Sequence, residues 1–95
     1  MASVLDRDDV SNIVVGVVRD MEQDPSVTEP TRFEEDLRVD DAAKRGYFPP
    51  VHRQITEAGG KLTSTKAADF ENADTVGEIV DTVWQDVQQN QDTSA

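Results

Sequence analysis

Phe33-Glu34-Glu35-Asp36-Leu37-Arg38-Val39-Asp40-Asp41-Ala42 lies between two differently patterned parts of the chain, and its reading decides the fold. Before it, residues 24–39 form a connection with Pro25 and Pro30 and no helical period, long enough to need a reason. Val27, Phe33 and Leu37 are the apolar anchors it offers. After it, Asp40 and Asp41 read as caps for a helix beginning at Ala42, where a carboxylate accepts from the free N–H groups of a first turn.

Working outward, Val10, Ile13, Val14, Val17, Val18 and Met21 recur at helical spacing and predict an amphipathic helix from about Arg7 to Glu22. Asp6 is its N-cap, Asp8 and Asp9 suit the positive end of its dipole, and Asp24-Pro25 ends it. Its many valines are weak helix formers, so burial of the stripe must stabilise it. Near the C-terminus, Val76, Ile79, Val80, Val83, Trp84 and Val87 repeat the pattern behind a capping box, Thr75-Val76-Gly77-Glu78.

The middle is less regular. Gly46 and Pro49-Pro50 interrupt the helix that starts at Ala42, and the prolines are expected to force Phe48 and Pro49 out of the α region. Pro50 can then open a new helix bearing Val51, Ile55 and Ala58, which stops at Gly59-Gly60. Ser64 or Thr65 is expected to cap a short helix holding Ala67, Ala68 and Phe70.

The opening stretch resembles the acyl carrier protein family, which reads Phe-x-x-Asp-Leu-Gly-x-Asp-Ser-Leu before its modified serine; Phe33, Asp36, Leu37 and Asp40 match it. The Thr75-Val76 start of the last helix resembles the family's final helix, and the likeness covers roughly residues 6–87. It implies an all-α, acyl-carrier-like four-helix bundle with a long first loop, pinned by Phe33 and Leu37, and here a broken second helix. The domain is expected over residues 6–87, with a flexible N-terminus, 1–5, and a flexible tail, 88–95. Asp41 stands at the serine position, and a carboxylate cannot form the phosphodiester to a 4'-phosphopantetheine arm. The family's second helix is unbroken and often acidic, whereas this one is kinked and basic.

Composition bounds the rest. Ninety-five residues make one domain, and 36% hydrophobic with only 5% aromatic residues suits an aliphatic helical core. The absence of cysteine excludes disulfides, thiolate nucleophiles and cysteine metal sites. No leader pattern or stretch of roughly 20 apolar residues is present, so a cytoplasmic monomer without membrane insertion is expected. A net charge of -11 argues against nucleic acid. Yet Arg38, Lys44, Arg45, Arg53, Lys61 and Lys66 face only Asp40, Asp41 and Glu57 between positions 38 and 66. That patch either offsets self-repulsion among the acidic helices or forms a surface for a partner.

His52 has no serine or acid at triad spacing, and the acidic clusters lack the alternating ligands of a calcium loop. No catalytic residue, metal or cofactor is therefore expected, and Trp84 reads as core. The expected function is a non-enzymatic module that binds a protein through residues 38–66, with Arg38, Lys44, Arg45, Tyr47, Phe48 and Arg53 as candidate contacts. The alternative is a functional acyl carrier modified at an atypical position, Ser64.

Overall fold

The computed structural model describes residues 5–92, and within them the chain is helical with no extended strand. Helix α1 spans Arg7–Glu22, α2 Asp41–Lys44, α3 Phe48–Glu57, α4 Ala67–Glu71 and α5 Val76–Asp92; a 3-10 turn, Arg45–Tyr47, joins α2 to α3. The start of α1 meets the end of α5 through Leu5 and Gln91, while Ser11 is linked through Glu29 to Gly77 at the start of α5. The two long helices thus run antiparallel, α3 packs on α1, and α4 packs on α2 and the 3-10 turn.

Helix α1 begins as its sequence dictates, with Asp6 and Asp9 exchanging side chain-to-backbone hydrogen bonds at 2.8 and 3.0 Å. Its stop comes just before the expected Asp24-Pro25. Gln23 is left-handed at φ 53°, and Arg19 O accepts from both Gln23 and Asp24 N–H. A non-glycine residue there crowds its own Cβ, so Gln23→Gly should stabilise the fold by about 1 kcal/mol, measured as a rise in the urea midpoint. Val10, Val14, Val17 and Val18 are buried as their spacing predicts, whereas Met21 is 46% exposed.

The long loop has a physical role at α5. Carbonyls of Glu29 and Thr31 accept from Gly77 N–H at 2.7 Å and Val76 N–H at 3.0 Å, satisfying donors that a helix start leaves free. Thr75 and Glu78 complete the capping box. Phe33 and Val27 are buried and Leu37 packs on the core from its edge. Arg7 draws α1, loop and α5 together by ion pairs to Glu29 and Asp81, both at 2.8 Å.

Four expectations about where elements begin and end are corrected. The path from Asp41 to Glu57 is continuous, and Phe48 is α-helical at φ -61°, ψ -52°. The 3-10 turn makes this possible, because Phe48 N–H takes Arg45 O three residues back, the carbonyl that Pro49 would leave unserved. Ser64 and Thr65 do not cap α4; it starts after Lys66, whose N–H donates to Asp69 at 2.8 Å. Leu5, expected in a flexible terminus, is buried, and Gln91 clamps both its N–H and its carbonyl; α5 continues through Asp92 rather than fraying from Gln88. The remaining expected tails, 1–4 and 93–95, lie outside the described residues.

Candidate partner-binding surface

Asp40, not Asp41, caps the run Asp41–Glu57: its carboxylate accepts from Ala43 N–H at 2.8 Å. Asp41 is the first helical residue, its side chain 78% exposed and 2.9 Å from Lys44 Nζ. Successive residues then turn by about 100° around the axis, which divides the run into an inner and an outer face.

On the inner face lie Lys44, Tyr47, Val51 and Ile55, all buried. Lys44 and Tyr47, expected to meet a partner, are therefore structural. Lys44 Nζ donates to Ala73 O at 2.7 Å and sits 5.6 Å from the Phe33 ring centroid, tying α2 to the loop before α5. Tyr47 stacks on Phe33 at 5.5 Å and donates its hydroxyl to Glu22 at 2.7 Å; burial, reinforced by that carboxylate, pushes its ionisation well above the usual phenol range.

On the outer face Arg45, Pro49, His52, Arg53 and Thr56 are exposed. Arg45 pairs with Glu71 at 2.9 Å. Phe48 lies between the faces, its ring parallel to His52 at 5.5 Å and edge-on to Phe70 at 5.8 Å. Arg38 is exposed two residues ahead of the Asp40 cap, with a left-handed backbone at φ 56°.

The engagement of cations bears on the two sequence readings of the basic patch. Outside residues 38–66 every basic residue is held by the fold: Arg7 by Glu29 and Asp81, Arg19 by Val27 O, Arg32 by Glu35. Within the segment, Arg38, Arg53, Lys61 and Lys66 are exposed and make no ion pair or side-chain hydrogen bond among the described residues. Cations that served only to offset internal repulsion would be expected beside the acids.

One consequential residue escaped the sequence reading. Asp86 is 4% exposed on α5 and accepts from the N–H groups of Thr63, Ser64 and Thr65 at 3.0, 2.9 and 2.8 Å, and from Thr65 Oγ1 at 2.8 Å. Burial would raise its ionisation, but the hydrogen bonds from Thr65, Thr63 and Ser64 together hold it below the usual carboxylate range. The available signal was an acid three residues after Val83 and seven after Ile79, on the flank of the apolar stripe, with Thr63-Ser64-Thr65 available to receive it. This bond set also places Ser64: its backbone is fixed by Asp86, in a loop and not at a helix start.

A surface depression lined by Arg32, Glu34, Glu35, Asp74, Thr75 and Glu78 lies elsewhere, and its one cation is already paired with Glu35. Among the described residues no group of three or more His, Cys, Asp or Glu is placed to hold a metal ion, and no helix is long and apolar enough to cross a membrane. Fold and surface thus define a small helical protein, acidic overall, with unengaged cations confined to one segment. Comparison with family models, with curated proteins and with solved structures finds no match to this chain.

Proposed function

We propose that this protein is a non-enzymatic interaction module of acyl-carrier-like design that cannot carry a 4'-phosphopantetheine arm at residue 41 and binds a protein partner through residues 38–66. The observation that carries the reading is the set of exposed, unengaged cations in that segment, in a chain whose other basic residues are all held internally. The contact surface is then Arg38, Arg53 and the partly exposed Phe48, with Arg45, already paired with Glu71, beside them and Lys44 and Tyr47 excluded. The resemblance is supported by the buried Phe33, by Asp41 opening a helix behind the Asp40 cap, and by the left-handed backbone of Arg38, which falls where the family motif has glycine.

Intact mass after incubation with a promiscuous phosphopantetheinyl transferase and coenzyme A tests it. Wild type should keep its mass and Asp41→Ser should gain the arm, with a stability change within about 1 kcal/mol because the Asp41 carboxylate is 78% exposed. An arm on wild type would replace the module with the carrier modified at another hydroxyl. A folded Asp41→Ser that stays unmodified would remove the support for an acyl-carrier-like design.

A further inference from the structure

Arg38 combines two features found together nowhere else among the described residues. Its backbone is left-handed, φ 56°, where a Cβ crowds the following carbonyl and glycine or asparagine fits at lower cost. Its guanidinium is exposed and makes no ion pair or hydrogen bond with any described residue, in a chain that holds 20 acids. The turn explains the conformation but not the residue. Leu37 N–H donates to Arg32 O at 3.2 Å and Val39 N–H to Phe33 O at 2.8 Å, so the chain must reverse at position 38 to bury Val39. Glycine would serve that reversal better. The other left-handed non-glycine residue, Gln23, carries no charge and ends a helix.

Resting on the partner surface above, we propose that Arg38 is a binding residue retained at the expense of folding, and that it receives a carboxylate from an acidic segment of a protein partner. The planar guanidinium takes a carboxylate through two parallel hydrogen bonds, and its unengaged state leaves that geometry open. Phosphate is the other anion with matching geometry, but nucleic acid and anionic membranes present it in dense arrays, which a chain of net charge -11 repels. A short acidic segment carries far fewer charges than such an array, so it meets less of that repulsion, and salt screens what remains beyond about 10 Å.

The test uses the full chain, a glutamate-rich peptide, its glutamine counterpart and inorganic phosphate, followed by arginine Nε–Hε NMR resonances and thermal unfolding. The glutamate peptide should shift the Arg38 resonance and the glutamine peptide should not. Arg38→Gly should raise Tm by about 4 °C or more, as is expected of Gln23→Gly, and weaken the peptide about tenfold, while Gln23→Gly should leave binding unchanged. An Arg38→Gly protein with unaltered Tm, or one that binds as wild type does, overturns the proposal. So does a response to phosphate as large as that to the glutamate peptide. Shifts at Arg45 and Arg53 without Arg38 would overturn this inference and leave the surface reading standing; no shift anywhere in residues 38–66 would overturn both.

Discussion

Asp86→Ala should lower the unfolding free energy by about 3–5 kcal/mol, seen as a lower urea midpoint with an unchanged slope. The magnitude follows from what the carboxylate holds: three consecutive backbone N–H groups and the Thr65 hydroxyl, at 2.8 to 3.0 Å. Asn90 Nδ2 adds a further bond from the next turn of α5. Hydrogen bonds to a charged acceptor are worth about 1.5–3 kcal/mol each, but they are not additive here, because loop 63–65 can open to water once its anchor is gone. A small domain is stable by only about 5–15 kcal/mol, so this single change removes a large part of the total.

The same carboxylate predicts acid sensitivity. Its folded ionisation is depressed, so the unfolded chain binds the proton more readily as pH falls. The stabilisation is therefore complete above the unfolded value, about 3.9, and is lost as pH drops through the folded one. Asp86→Asn keeps the shape and removes the titration, and should flatten the pH dependence of the urea midpoint below about pH 4. The flattening is partial, because Glu29, mainly through the Arg7 hydrogen bond, and Asp24, mainly through Ser26, are depressed too. A wild-type slope fully retained in Asp86→Asn would place the acid sensitivity elsewhere.

Lys44→Ala should be the second most damaging change, costing about 2–4 kcal/mol in the same assay. The side chain is 6% exposed, its stem lies in the core and its ammonium bonds the Ala73 carbonyl at 2.7 Å. Alanine leaves a cavity and an unserved carbonyl together. Lys44→Met restores most of the stem and should recover about 1–2 kcal/mol, so the two variants separate packing from the polar contact. Neither change should weaken binding of the glutamate peptide, whereas Arg53→Ala, with no internal partner, should weaken binding and leave stability within about 0.5 kcal/mol. Loss of peptide binding by a folded Lys44→Met protein would return Lys44 to the contact surface.

The contrast between Lys44 and Arg45 shows where sequence reasoning reached its limit. Both are cations in the same basic run, and both read as contacts. A turn of about 100° separates them, which points one at Phe33 and Ala73 and the other outward to Glu71. Had Tyr47, Val51 and Ile55 been taken as the inner stripe, the register of Lys44 would have followed, since it lies three residues before Tyr47 and seven before Val51. The prolines concealed that stripe, because Pro49-Pro50 reads as a break, and only the 3-10 turn at Arg45–Tyr47 keeps the period intact across them.

Interactions that close within about four residues were set by the sequence alone: the Asp6–Asp9 and Thr75–Glu78 boxes, the Asp40 cap, and the valine stripes of α1 and α5. A cap or a helical stripe depends on neighbours whose relative position the backbone already fixes. Tertiary structure alone decided which polar groups meet across the chain: Asp86 with loop 63–65, Lys44 with Ala73, Gln91 with Leu5, and the loop carbonyls of Glu29 and Thr31 with the start of α5. Those pairs lie 21 to 86 residues apart where they are side-chain contacts, and their geometry exists only after the helices have packed.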